Sequence, residues 1–137
     1  MLLLSLCALF SVLVWPVEGA YALGSRTEGG DSMVMLQKTD SGRQIEVKSG
    51  ATVGIELSGS GGTGYWWYVT RIDTRHAEVV SEETKQVGEK KPGGPVQGIW
   101  RIKAKEPGRT EVMLKYYRVW EGPDKAEDQF SIILNIK

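Results

Sequence analysis

The sequence predicts an all-β protein, an antiparallel β-sandwich of seven to eight strands. Short runs of alternating apolar and polar residues recur at roughly 8–14-residue spacing, as sandwich strands do. Turn residues punctuate them: Asp40-Ser41-Gly42, Ser49-Gly50 and Glu106-Pro107-Gly108. No window sustains a 3.6-residue period, so no crossover helix is available for parallel βαβ units.

Met33-Val34-Met35-Leu36 begins the first run. Arg43 to Lys48 alternates, with Ile45 and Val47 inward. In Thr52 to Leu57, Val53, Ile55 and Leu57 share a face. Tyr65 to Ile72 is an aromatic strand. Trp66 and Trp67 are adjacent and must face opposite ways. Trp67 shares its face with Tyr65 and Val69 and is the core candidate; Trp66 belongs on the open face or a rim. A shorter strand is expected around Val79-Val80, followed by a Lys-, Gly- and Pro-rich loop from Gly88 to Pro95. Gln97 to Ala104 holds Ile99, Trp100 and Ile102, with Trp100 read as packing. Arg109 to Val119 places Val112, Leu114 and Tyr116 on one face. Phe130, Ile132, Leu134 and Ile136 alternate in the last strand.

The chain has 137 residues, which suits one domain. Residues 2–15 are an uncharged apolar run, too short to span a membrane comfortably and placed where a signal-peptide core belongs. Ala20-Tyr21-Ala22 follows, so residues 1–22 are read as a signal peptide cleaved after Ala22. An uncleaved anchor is the alternative, since no Lys or Arg precedes the run. Residues 23–32 are polar and Gly-rich and read as a flexible segment; residues 33–137 form the folded domain. The expected setting is exported: secreted, periplasmic or in a secretory or endolysosomal lumen.

Loss of the leader removes Glu18 and leaves 17 basic and 16 acidic side chains. That balance gives no reason to expect nucleic acid or, after cleavage, a membrane as partner. The one cysteine, Cys7, leaves with the leader, so neither a disulfide nor a thiol nucleophile is expected.

Catalytic equipment is sparse. His76 is the lone histidine, in the polar stretch Asp73-Thr74-Arg75-His76, and no serine sits in a Gly-x-Ser-x-Gly elbow. His76 therefore reads as a solvated loop residue. A zinc site would need ligands the mature chain lacks, and no metal or cofactor is expected. Glu82-Glu83 and Glu127-Asp128 are paired carboxylates of the kind a glycosidase uses, but read as solvated surface charge. The glycines at 59, 61, 62 and 64 lack the Lys-Ser/Thr and the helix of a phosphate loop.

Two aromatic loop segments stand out instead. Gly59-Ser60-Gly61-Gly62-Thr63-Gly64 leads into Tyr65-Trp66-Trp67, and Tyr117-Arg118-Val119-Trp120 leads into Glu121-Gly122-Pro123. Aromatics at strand ends give a binding surface area at little entropic cost. Trp120, just before Glu-Gly-Pro, reads as exposed.

Together these segments resemble the chagasin family of cysteine-protease inhibitors. The family signature Asn-Pro-Thr-Thr-Gly, followed by an aromatic and a Trp, aligns with Ser60-Gly61-Gly62-Thr63-Gly64-Tyr65-Trp66-Trp67. The family's Gly-Gly loop aligns with Gly93-Gly94, and its Arg-Pro-Trp with Arg118-Val119-Trp120. The resemblance implies an immunoglobulin-like sandwich with three loops gathered at one end. It implies a reversible, competitive inhibitor of papain-like cysteine peptidases, not an enzyme, acting as a monomer by occluding the cleft. By the same resemblance, Ser60, Gly61, Gly62, Thr63, Gly64, Tyr65, Gly93, Gly94, Arg118 and Trp120 are the protease-binding residues. Thr63 would touch the enzyme's catalytic Cys-His, and Trp120 would pack on an aromatic wall with Arg118 beside it. Gly61 and Gly62 stand where the family has Pro and Thr. Restoring those residues is expected to stiffen the loop and tighten inhibition, unless the glycines adopt positive φ.

Two other readings remain: an exported carbohydrate-binding sandwich, which would show coplanar aromatics on one sheet face, and an adhesion module without a ligand site.

Overall fold

The computed structural model describes residues 33–89 and 92–137. The signal peptide expected over residues 1–22 and the flexible segment expected over 23–32 lie outside the described residues. Among the described residues, eight strands form two four-stranded sheets. The strands are β1 (Val34–Leu36), β2 (Gln44–Val47), β3 (Thr52–Ser60), β4 (Tyr65–Arg71), β5 (Ala77–Gln86), β6 (Pro95–Ala104), β7 (Gly108–Arg118) and β8 (Asp128–Ile136). One sheet runs β1-β3-β6-β5, the other β2-β8-β7-β4.

Period-2 alternation builds the core between them. Val53, Ile55 and Leu57 of β3 and Trp100, Ile102 and Ala104 of β6 face Val112 and Leu114 of β7 and Phe130, Ile132, Leu134 and Ile136 of β8. Trp67 joins them from β4, and its indole N–H donates to the Ser58 carbonyl at 3.0 Å. Large aromatics such as Trp100 and Phe130 each bury on the order of 150–250 Å², so they carry a large share of this core. Trp66 is half-buried. Its ring reaches Gly59 and Gly98 of the opposite sheet and lies 5.9 Å from Trp100. A Cβ on Gly59 would come within 2.8 Å of the Trp66 ring, and one on Gly98 within 2.4 Å of the Trp100 ring and 2.9 Å of Trp66, so the two indoles together keep those positions small.

The pairs β3–β6, β5–β6, β4–β7 and β7–β8 are antiparallel, as the sequence predicts. The sheets are nonetheless mixed, because β1 runs parallel to β3 and β2 parallel to β8. A parallel neighbour needs a long return path. Between β1 and β3 the chain supplies it by visiting the other sheet as β2, so no helix is required.

β5 also departs from expectation. It is ten residues long, with a bulge between Val79 and Ser81, and both valines are exposed. Its length comes from backbone pairing with β6 at the sheet edge, which a mostly polar sequence does not announce. The same pairing carries β3 through Gly59 to Ser60, opposite Pro95.

The pairings Ser60↔Pro95, Gln86↔Val96, Tyr65↔Arg118 and Tyr116↔Asp128 bring three connections to one end of the sandwich. They are the 61–64, 87–94 and 119–127 loops. His76 is at the other end, packed on Gly108, with Nδ1 3.0 Å from the Glu106 carbonyl oxygen. It is half-buried, not freely solvated: it fastens a turn.

Candidate functional site

The 61–64 loop leaves β3 at Ser60, whose N–H donates to the Tyr116 hydroxyl at 3.3 Å. Gly62 and Gly64 have φ of +80° and +81°, a conformation only glycine adopts readily. Between them, Thr63 is exposed, but its hydroxyl is engaged. It donates to the Ser60 carbonyl and accepts from the Tyr65 N–H, each at 3.3 Å. Thr63 thus braces its own loop.

Tyr65, the first residue of β4, is a junction. Its ring stacks on Tyr116 at 5.5 Å and 24°, and the Arg118 guanidinium lies 4.4 Å from its centroid. Its hydroxyl donates to Glu127 Oε1 at 2.8 Å. That bond to a carboxylate is the leading cause that raises the phenol's pKa above the ordinary tyrosine range.

Arg118 ends β7 facing the neighbouring loop. Its Nε donates to the Thr63 carbonyl at 3.0 Å, and its Nη1 lies 3.7 Å from Glu121. The guanidinium is 5.9 Å from the Trp120 ring. Arg118 therefore stands beside Trp120, and it also clips the 61–64 loop to the 119–127 loop. Trp120 itself is 70% exposed. The edge of its indole rests on Gly64, where a Cβ would come within 2.2 Å of Cη2. Gly64 is thus required twice, by its own φ and by the indole above it.

The 87–94 loop joins differently, through main chain. Gly61 N–H donates to the Gly94 carbonyl at 3.2 Å, and the Gly93 Cα lies 3.7 Å from where a Cβ would stand on either Gly61 or Gly62. Gly93 has φ +74°. Every residue of the sequence-derived set thus lies at this one end, from Ser60 through Tyr65, with Gly93, Gly94, Arg118 and Trp120. The expectation that Gly61→Pro with Gly62→Thr would tighten binding does not fit this geometry. Proline would delete the Gly61–Gly94 hydrogen bond, and a β-branched residue is strained at φ +80°.

Sequence reasoning missed Glu127 and the site role of Tyr116. In the sequence Glu127 reads as solvated charge, yet it accepts the Tyr65 bond, and its N–H donates to the Tyr116 carbonyl at 2.9 Å. Asp128 beside it pairs with Lys38 at 3.0 Å, and Glu83 of the other carboxylate pair with Arg101 at 3.0 Å. No local pattern signals these partners. Tyr68 and Tyr117, also unassigned, lie 4.9 Å apart at an angle of 50°, so they form no flat platform for a sugar ring.

The sandwich thus projects an exposed Trp from one end, where described residues of three connections are bonded to one another. A family model described as "Chagasin family peptidase inhibitor I42" matches residues 46–134. The chain belongs to the chagasin family of peptidase inhibitors and is not an enzyme. Its fold is similar to the cysteine protease inhibitor EhICP2 from Entamoeba histolytica (TM-score 0.69, 19% identity, 77% of this chain and 96% of that one). It is similar to Amebosin (TM-score 0.60, 22% identity, 77% and 98%). It is also similar to PbICP-C, solved in complex with falcipain-2 (TM-score 0.56, 18% identity, 79% and 93%). Among curated proteins, none matches this sequence significantly.

Proposed function

We propose that this protein inhibits papain-like cysteine peptidases reversibly and competitively, by seating the 61–64, 87–94 and 119–127 loops in the active-site cleft. The observation that carries this reading is Trp120. A tryptophan 70% exposed at a loop tip, held in place by Gly64 and Arg118, is a pre-set anchor with its apolar area still to be buried. Family membership supplies the class of partner, and the complex of PbICP-C with falcipain-2 is an instance of a fold relative bound to its target. Ser60 to Tyr65, Gly93, Gly94, Arg118 and Trp120 form the proposed contact set. No residue of the inhibitor need react: occlusion alone blocks substrate. Papain hydrolysis of a small substrate should fall with excess protein and recover on dilution. Unchanged hydrolysis at micromolar protein overturns the reading. The proposal includes export, with residues 1–22 removed, and action as a monomer. Mass analysis of the exported form should find Leu23 at its N-terminus.

A further inference from the structure

We infer that Glu127 is a positioning residue for inhibition, which ties the 61–64 and 119–127 loops into one body before any peptidase arrives. This rests on the inhibitory reading above. Glu127 is the last residue before β8, and its backbone is fixed by the 2.9 Å bond to the Tyr116 carbonyl. That bond anchors the main chain from which the Glu127 carboxylate reaches, and the carboxylate accepts from the Tyr65 hydroxyl at 2.8 Å.

From Tyr65 the restraint passes in two directions. Along the chain, the Tyr65 N–H is bonded to the Thr63 hydroxyl, which in turn reaches back to Ser60. Across the site, the Tyr65 ring carries the Arg118 guanidinium, which holds the Thr63 carbonyl and faces the Trp120 ring. Trp120 closes the circuit by resting on Gly64. The proposed anchor and the proposed first loop thus share one set of contacts, and Glu127 holds that set at Tyr65. A loop ordered in advance loses less entropy when it binds. Cutting the Glu127–Tyr65 bond should therefore weaken inhibition without disturbing the core, which neither side chain enters.

The test compares wild type, Glu127→Ala, Glu127→Gln, Tyr65→Phe and the double variant Tyr65→Phe/Glu127→Ala. Papain inhibition constants, melting temperatures and 15N order parameters of the free protein are measured. Loss of one charge-assisted hydrogen bond between half-buried Tyr65 and exposed Glu127 should raise the inhibition constant of Glu127→Ala about fivefold. At neutral pH the melting temperature should fall only slightly below that of wild type. Order parameters at Thr63 and Gly64, in the other loop, should fall from about 0.85 toward 0.6. Glu127→Gln keeps an acceptor for the phenol and should recover most of the inhibition. The double variant should be no weaker than the weaker single, because both remove the same bond. Wild-type inhibition and unchanged loop order in Glu127→Ala overturn the inference, as do additive losses in the double variant. If no form inhibits papain but loop order still responds to Glu127→Ala, the inhibitory reading falls and the coupling of the two loops stands.

Discussion

The 61–64 and 119–127 loops are joined to each other by side chains, whereas the 87–94 loop meets the 61–64 loop through main chain. Arg118, Tyr65, Glu127 and Trp120 build the first junction; Gly61, Gly93 and Gly94 build the second. The difference sets what each junction tolerates. A side-chain junction depends on functional groups and can be cut one bond at a time. A main-chain junction depends on close approach and on φ, and it fails through any residue with a Cβ in the wrong place.

The largest effects separate the exposed anchor from the core beneath both junctions. Trp100 is buried against Trp66 and Gly98, so Trp100→Ala should cost roughly 3–5 kcal/mol of folding stability, read by denaturant melts. Trp120→Ala should leave the melt nearly unchanged and cost about 2 kcal/mol or more of binding, read as the papain inhibition constant. Equal damage to stability from both would mean that Trp120 is a packing residue.

Next comes the main-chain junction. Gly61→Pro with Gly62→Thr removes the bond to Gly94 and places a β-branched residue at φ +80°. Strain of this kind costs on the order of 1–3 kcal/mol, so the pair should inhibit about 5- to 150-fold more weakly. Tighter inhibition would show that this junction can rearrange at no cost.

A smaller effect is expected on the other side of the same contact. Gly93→Ala has φ +74° against it and a Cβ 3.4 Å from the Gly61 carbonyl oxygen, which is ordinary contact. The cost is then left-handed strain alone, roughly 1–2 kcal/mol. It should appear as faster dissociation from papain in stopped-flow measurements. An unchanged dissociation rate would detach the 87–94 loop from the binding surface.

The smallest effect is a pH dependence at the side-chain junction. The Tyr65 phenol titrates higher in the folded protein, chiefly because it donates to Glu127. Its contribution is fully present below the unfolded tyrosine value of about 10 and is lost as pH rises through the folded value. Melting temperatures of wild type and Tyr65→Phe should therefore converge as pH is raised above about 10. A gap that stays constant or widens would mean the Glu127 bond does not hold the phenol neutral.

Strand count, core and loop ends were legible in the sequence because burial in a sheet has a fixed period of two. Val53, Ile55 and Leu57, or Phe130 through Ile136, declare their face by spacing alone. The assignments of Trp67 and Trp100 to the core and of Trp120 to the surface follow from the same rule and from the turn residues after Trp120. Period-2 logic does not say which strands become neighbours. The parallel edges β1–β3 and β2–β8, and the length of β5, arise from backbone pairing, to which side-chain alternation is blind. The site divides along the same line. The sequence supplied Gly64, Arg118 and Trp120 as residues suited to a binding loop. Only the register of β4 against β7, and of β7 against β8, brings Tyr65 to Glu127 across 62 positions and Arg118 to Thr63 across 55. A hydrogen bond needs its partners within about 3 Å, and at such separations only the folded chain decides which groups come that close.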